Sequence, residues 1–242
     1  MAAAYERFRL GYPDELVDAV VEYAGRPVRT ALEVGAGTGK ATRVFAEHGI
    51  AVTATDPDEA MLAELRRHVP DSVRTVRGAF EELPVTTAYD VIFAAASFHW
   101  TDPKGRWERV AGLLEPGGVF ASFGGPLRLA DPGVETTVRA IRAQFLAGDE
   151  IPSPDGTPTT SPMQWPGTEL ERSGLFTDVR QTVLARRLTL TPEEYVGHLA
   201  TVSAYLELDE TIRDEVLGRI REALPERVAI IADLTLHLAR LR

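Results

Sequence analysis

Apolar positions along the chain change period several times, and each change marks an element. PDELVDAVVEYAG (13–25) places Leu16, Val20 and Tyr23 on one helical face, with Pro13 early and Gly25 at the stop. TALEV (30–34) reads as a short buried strand, ATRVFAEHG (41–49) as a helix ending in glycine, and AVTAT (51–55) as a second strand. The unit then recurs. PDEAMLAELRRH (57–68) opens on acids and closes on Arg66 and Arg67, as a helix dipole favours, and SVRTV (72–76) is a third strand. YDVIFAAAS (89–97), DPKGRWERVAGLL (102–114) and GGVFASFG (117–124) continue as strand, helix and strand. Such alternation predicts a mainly parallel sheet with helices on both faces.

Beyond Gly124 the rhythm loosens. Residues 131–147 read as helix, and 148–167 collect proline, glycine, serine and threonine, so 125–167 is expected to be a lid-like insertion. A helix near 168–174 leads into VRQTVLARRLTL (179–190), expected as strand six. Helical segments at 192–206 and 209–224 follow. VAIIADLTLHLARL (228–241) suits a last strand, although Leu234, Leu238 and Leu241 also fit a helical period. The expected organisation is one domain over 1–242: a cap at 1–27, a core at 28–124, the insertion at 125–167, and C-terminal strands with substrate-side helices at 168–242.

Composition narrows the function classes. The 242 residues are 44% apolar and 26% charged, ordinary for a globular domain, and carry a net charge of −10. That charge argues against a general nucleic-acid or anionic-membrane binder, which needs a basic footprint. Cysteine is absent, which removes disulfides, thiolate metal sites and cysteine nucleophiles. No stretch approaches the roughly 18 apolar residues of a membrane span, and a cytoplasmic monomer or homodimer is the expectation. His48, His68, His99, His198 and His237 show no metal-ligand spacing, so no metal is expected.

The chemistry concentrates in LEVGAGTGK (32–40). A phosphate-binding loop requires a glycine where Val34 stands and Ser or Thr where Ala41 stands, and a dinucleotide fingerprint requires its third glycine where Lys40 stands. What remains is Glu33, Gly35, Gly37 and Gly39 at strict two-residue spacing. In this the chain resembles the first motif of class I S-adenosylmethionine-dependent methyltransferases. The resemblance implies a Rossmann-like sheet of order 3-2-1-4-5-7-6 with the last strand antiparallel, and S-adenosylmethionine as cofactor. Glycines there let the cofactor's amino-acid portion and ribose come close, while Glu33 lies near its ammonium group.

The resemblance extends to other strand ends. Asp56, closing AVTAT, corresponds to the acid that binds both ribose hydroxyls, and it is equally an N-cap before Pro57. Pro57 and Met61 would lie near the adenine. GAFEELP (78–84) is similar to the segment placing the Phe80 N–H and Glu81 carboxylate at the adenine edge, although Glu81 and Glu82 also read as a solvated pair. AAASFHWTD (94–102) looks like the aromatic-rich segment of methyltransferases related to the trans-aconitate and ubiquinone-type enzymes. Ala95 is small where the cofactor passes, and Ser97 and Trp100 are candidate substrate contacts. His99 is the candidate base, or a histidine fixed beside Trp100. YERFRLGYP (5–13) resembles the segment that folds over the cofactor, making Tyr5 and Arg9 cofactor candidates and Tyr12 a substrate candidate. The implied function is methyl transfer to a small-molecule acceptor; a non-catalytic cofactor-binding scaffold, or another use of the cofactor, is the alternative.

Overall fold

Short apolar runs separated by amphipathic helices assemble into a seven-stranded sheet. In the computed structural model, which describes residues 1–146 and 153–242, helices α1 (Ala2–Phe8) and α2 (Asp14–Ala24) precede the core. Gly25, with φ of 63°, stops α2 in the left-handed conformation that lacks a penalty only for glycine. The core then runs β1 (Thr30–Val34), α3 (Lys40–Glu47), β2 (Ala51–Asp56), α4 (Glu59–Leu65), β3 (Arg74–Arg77), β4 (Tyr89–Ala95), α5 (Arg106–Leu113) and β5 (Leu114–Gly124). Strand β6 (Arg128–Leu129) and α6 (Pro132–Arg142) follow, and then α7 (Gly167–Ser173), β7 (Phe176–Leu184), β8 (Arg187–Leu190) and α8 (Pro192–Leu199). Helices α9 (Ser203–Leu206) and α10 (Glu210–Ala223) and strands β9 (Val228–Ile231) and β10 (Leu234–Leu241) complete the chain.

The main sheet has the order β3-β2-β1-β4-β5-β10-β7. Numbered by their own sequence within that sheet, the strands read 3-2-1-4-5-7-6, and β10 is antiparallel to both β5 and β7. This is the expected Rossmann-like order. One face is closed by α2 and α3 over Leu16, Val20, Phe45 and Phe93, the last two rings stacked at 3.9 Å. The other face packs Ile92, Phe98, Trp107, Val110 and Phe120. Every central strand is therefore covered on both sides, which is why its sequence is nearly continuous in apolar residues.

Two expected strands are each divided. The segments expected as single strands at 179–190 and 228–241 break at Ala185–Arg186 and Ala232–Asp233, and their outer pieces β8 and β9 join β6 in a second, three-stranded sheet. The joint is held by Asp233, whose Oδ1 accepts the Arg186 backbone N–H at 2.9 Å, while Ala232 N donates to the Arg186 carbonyl at 3.0 Å. A twelve- to fourteen-residue strand would outrun the twisted main sheet, and the break lets its far end start another layer. The helical alternative for 228–241 is not adopted, because β10 lies between β5 and β7 and satisfies both.

The second sheet, with α6, α8, α9 and α10, has its own core of Tyr195, Tyr205, Val216, Ile220 and Ile230. The insertion expected at 125–167 thus divides: β6 and α6 join this core, whereas residues from 153 onward dock on the main sheet's flank. There Gln164 N donates to Gln181 Oε1 at 2.7 Å and Thr168 Oγ1 to Asp155 at 2.6 Å. Residues 147–152 of the expected lid lie outside the described residues.

Candidate functional site

The carboxyl ends of β1 and β4 diverge into the crevice where parallel α/β sheets bind ligands. Gly35, Gly37 and Gly39 all have positive φ (68°, 55° and 85°), yet they serve different ends. A Cβ at Gly35 would lie 2.6 Å from Ser97 Cβ, and one at Gly39 would lie 2.7 Å from Leu65 Cγ, so these two allow the loop to press on its neighbours. At Gly37 a Cβ would meet only Tyr5 Cε1, at 3.9 Å, and this glycine faces open cleft. Its N–H donates to Asp56 Oδ2 at 2.9 Å, which binds the loop to the end of β2.

Two carboxylates stand at this loop with little water. Glu33 is fully buried. Its Oε2 accepts from Thr42 Oγ1 at 2.5 Å, and its Oε1 has no partner. Burial pushes its carboxyl up to about 8, the Thr42 hydrogen bond opposing and the Asp56 charge reinforcing the shift. Asp56 is also raised by burial, against the pull of backbone hydrogen bonds from Asp58 and Gly37. An unpartnered buried carboxylate oxygen calls for a cation, and each Asp56 oxygen retains a lone pair for a hydroxyl. The ammonium group and ribose diol of S-adenosylmethionine supply both, so the residues fit that cofactor.

From Glu33 the cleft runs across Ala95 and Ala96 toward the second sheet, where Leu127, Ala232 and Leu234 form its far wall. Ala96 holds a φ of 54°, sparsely populated for a residue with a side chain, at the turn out of β4 on the cleft floor. The N-terminal segment covers the cleft. Lys40 anchors it, with Nζ 2.5 Å from the Glu6 carbonyl and 3.3 Å from its carboxylate, so this lysine serves helix α1. Arg9 lies over the Tyr5 ring at 5.1 Å and donates to the Thr201 hydroxyl and carbonyl at 2.7 and 2.9 Å. Tyr12 packs edge-on against Phe123 at 5.1 Å, and burial raises its hydroxyl above the ordinary range, keeping it a donor. His198 also faces the cleft. Burial, with the Arg9 charge, drives it down to about 4, against the opposing pull of a hydrogen bond to the Phe8 backbone.

The structure therefore brings Tyr5, Arg9, Tyr12, Glu33, Gly35, Gly37 and Ala95 together on one cleft. Asp56 holds the loop through the Gly37 N–H, and Gly39 lets it pack against Leu65. Pro57 is exposed after β2, and Met61 is half-buried on α4. Phe80 is buried, with its ring 6.1 Å from that of Phe98 and the Arg109 guanidinium above it at 5.8 Å. Glu81 accepts the Asp102 backbone N–H at 2.6 Å. Ser97, His99 and Trp100 do not line the cleft. The Ser97 hydroxyl is bound to the Val34 carbonyl, Trp100 is 73% exposed, and the His99 ring lies against it at 4.9 Å. Sequence reasoning missed Arg186, His198, Leu127 and Leu234, which helix α8, the joint between the two sheets and the segments flanking it bring to the cleft. Among the described residues no three His, Asp or Glu side chains gather as a metal site requires. No helix among them is long and apolar enough to cross a membrane.

A methyltransferase-domain family model matches residues 32–122, the stretch that builds this loop and the crevice floor. An uncharacterized methyltransferase of Mycobacterium tuberculosis is 32% identical over 94% of this chain and 85% of its own length. The chain belongs to the class I S-adenosylmethionine-dependent methyltransferases. A trans-aconitate 2-methyltransferase of Delftia acidovorans is 31% identical over 47% of this chain and 42% of its own. A solved structure from Anaeromyxobacter dehalogenans, described as a type II methyltransferase, is 26% identical, covers 96% of this chain and 98% of that one, and superposes with a TM-score of 0.68.

For this methyltransferase, Asp56→Ala is expected to weaken S-adenosylhomocysteine binding by about 1.5–2 kcal/mol, since hydrogen bonds to a charged carboxylate are strengthened. Asp56→Asn should lose less, because one acceptor oxygen survives. Calorimetry on both variants checks this ranking; equal affinity in all three proteins would remove Asp56 from the cofactor site.

Proposed function

We propose that this methyltransferase acts on a small-molecule acceptor held at the far end of the cleft, between Tyr12 and the second sheet. The observation that carries the reading is the cleft's continuity. It runs from the cofactor loop past Ala95 to Leu127 and Leu234. A scaffold that merely held cofactor would not need that open end. The trans-aconitate relative, named for a small acceptor, supports the same reading.

The cofactor, when bound, supplies a methyl group on a positively charged sulfur whose departure leaves a neutral thioether. The chain's own contribution is orientation and exclusion of water. Glu33 and Asp56 fix the two polar ends of the cofactor, Tyr5 covers Gly37, and Leu10 and Leu127 dry the space beyond Ala95. His198 is uncharged at neutral pH, and the Tyr12 hydroxyl remains protonated. These are uncharged polar groups available to orient an acceptor.

Because His99 lies outside the cleft, His99→Ala is expected to keep turnover within about threefold and cofactor affinity unchanged. A general base would lose about 10²–10⁴-fold. Turnover of hydroxyl, amine and carboxylate acceptors, measured alongside calorimetric binding of S-adenosylhomocysteine, tests both points. A hundredfold loss in His99→Ala would make that residue the base, and no turnover of any acceptor by cofactor-binding protein would favour the scaffold.

A further inference from the structure

We propose that Arg186 is the anion-recognising residue at the acceptor end of the cleft and that the acceptor carries a carboxylate; this rests on reading the site as a small-molecule methyltransferase. The argument starts from the paired arginines at the joint between the two sheets. Arg186 and Arg187 are adjacent in a locally extended chain and so face opposite ways. Arg187 turns outward and donates to Asp233, which Arg128 also approaches at 3.9 Å. Asp233 thus neutralises the outer arginine, and its contact with Arg186 is through the backbone N–H.

The Arg186 side chain turns instead into the cleft, half-buried, with Nη1 donating to the Gly11 carbonyl at 3.1 Å. Among the described residues no carboxylate pairs with it. Tyr12 and Glu15 are the acidic groups close enough to favour its charge, and burial outweighs them, lowering its pKa. A guanidinium carries five N–H donors, and a single carbonyl contact leaves most of them for a ligand. Arg186 is thus a partly buried cation with donors to spare and no carboxylate to balance its charge, which suits it to a ligand anion.

Arg9 has a different place. It lies on the Tyr5 ring, and Tyr5 is the side chain that meets Gly37, so Arg9 belongs with the cofactor's own carboxylate. Arg186 sits beyond it, with Leu127, Ala232 and Leu234 of the far wall. One remaining cation among apolar side chains matches an anion of one charge. A phosphomonoester, with nearly two charges, would be left half-compensated. The planar fork of the guanidinium also fits a carboxylate through two parallel hydrogen bonds. The Tyr12 hydroxyl and the uncharged His198 imidazole then serve the acceptor's uncharged polar atoms.

The test uses full-length protein saturated with S-adenosylhomocysteine and titrated calorimetrically with small monocarboxylates, their neutral amides, and phosphomonoesters. One or more carboxylates should bind, and their amides should bind markedly less well. Arg186→Gln should reduce carboxylate affinity about 10- to 50-fold, and Arg186→Lys by less, because a charge persists without the fork. Arg187→Gln, the same charge change one residue away, should have no effect, and S-adenosylhomocysteine affinity should stay within about twofold in all three. The proposal is overturned if phosphomonoesters or amides bind as well as carboxylates. It also fails if no carboxylate binds to protein that does bind S-adenosylhomocysteine, or if Arg186→Gln loses that cofactor product equally. Absence of S-adenosylhomocysteine binding in the wild type would instead overturn the underlying reading of the site.

Discussion

Gly37→Val is expected to lower affinity for S-adenosylmethionine and S-adenosylhomocysteine more than a hundredfold while leaving a folded protein. Two effects act together. Gly37 sits at φ of 55°, where a β-branched residue is strained by about 1–3 kcal/mol. The space above its Cα is cleft, bounded by Tyr5 at 3.9 Å, so the valine methyls would project where the cofactor must lie. The cofactor then faces a steric block as well as a displaced N–H, whose partner is Asp56 Oδ2. Gly35→Val provides the contrast. There the new Cβ would lie 2.6 Å from Ser97 Cβ, between the ends of β1 and β4, and the expected defect is in folding. Thermal unfolding without ligand, paired with calorimetry, separates the two. Gly37→Val should lose binding out of proportion to stability, and Gly35→Val the reverse. Binding within tenfold of wild type in Gly37→Val would mean that the cofactor does not cross this residue.

What was legible in the chain depended on how local its determinants were. The alternation of strands and helices and the glycine loop follow from short apolar runs, helix stops such as Gly25, and residues within a few positions of one another, whereas the strand order came only with the family resemblance that the loop carries. The divided strands were not legible, because the break at Ala185–Arg186 is imposed by Asp233, 47 positions away in sequence. For the same reason nothing in ARRL (185–188) marked Arg186 as a cleft residue. The aromatic segment at 97–100 illustrates the opposite error. Its residue types suggested a wall of the active site, yet Ser97 is turned back onto Val34 and Trp100 projects outward at 73% exposure, because the 3₁₀ turn Phe98–Trp100 buries only Phe98. Residue type indicated chemistry there, whereas side-chain direction was fixed by a turn that sequence periodicity does not reveal.

Glu33→Gln is expected to weaken S-adenosylhomocysteine binding by about 2–3 kcal/mol at pH 8 and to abolish most of its pH dependence. In the free protein the Glu33 carboxyl is pushed up to about 8, burial being the main cause, and is therefore largely protonated at neutral pH. An ammonium group against the unpartnered Oε1 favours the ionised form, so the bound state has the lower pKa and binding releases a proton. Wild-type affinity should then rise with pH, by up to about tenfold per unit, and level off near pH 8. The folding linkage has the opposite sense. The folded pKa lies above an unfolded value of about 4.3, so this group's contribution to stability is complete below that value and is lost as pH rises through about 8. Glutamine can keep the contact with Thr42 without ever ionising. The ligand-free variant should therefore unfold at a higher temperature than wild type above pH 8, while binding cofactor product less tightly. Calorimetry from pH 6 to 8.5 in buffers of different ionisation enthalpy measures the released proton directly, and thermal unfolding of the free proteins measures the stability gain. A flat wild-type affinity across that range, shared by Glu33→Gln, would mean that the buried acid does not meet the ammonium group.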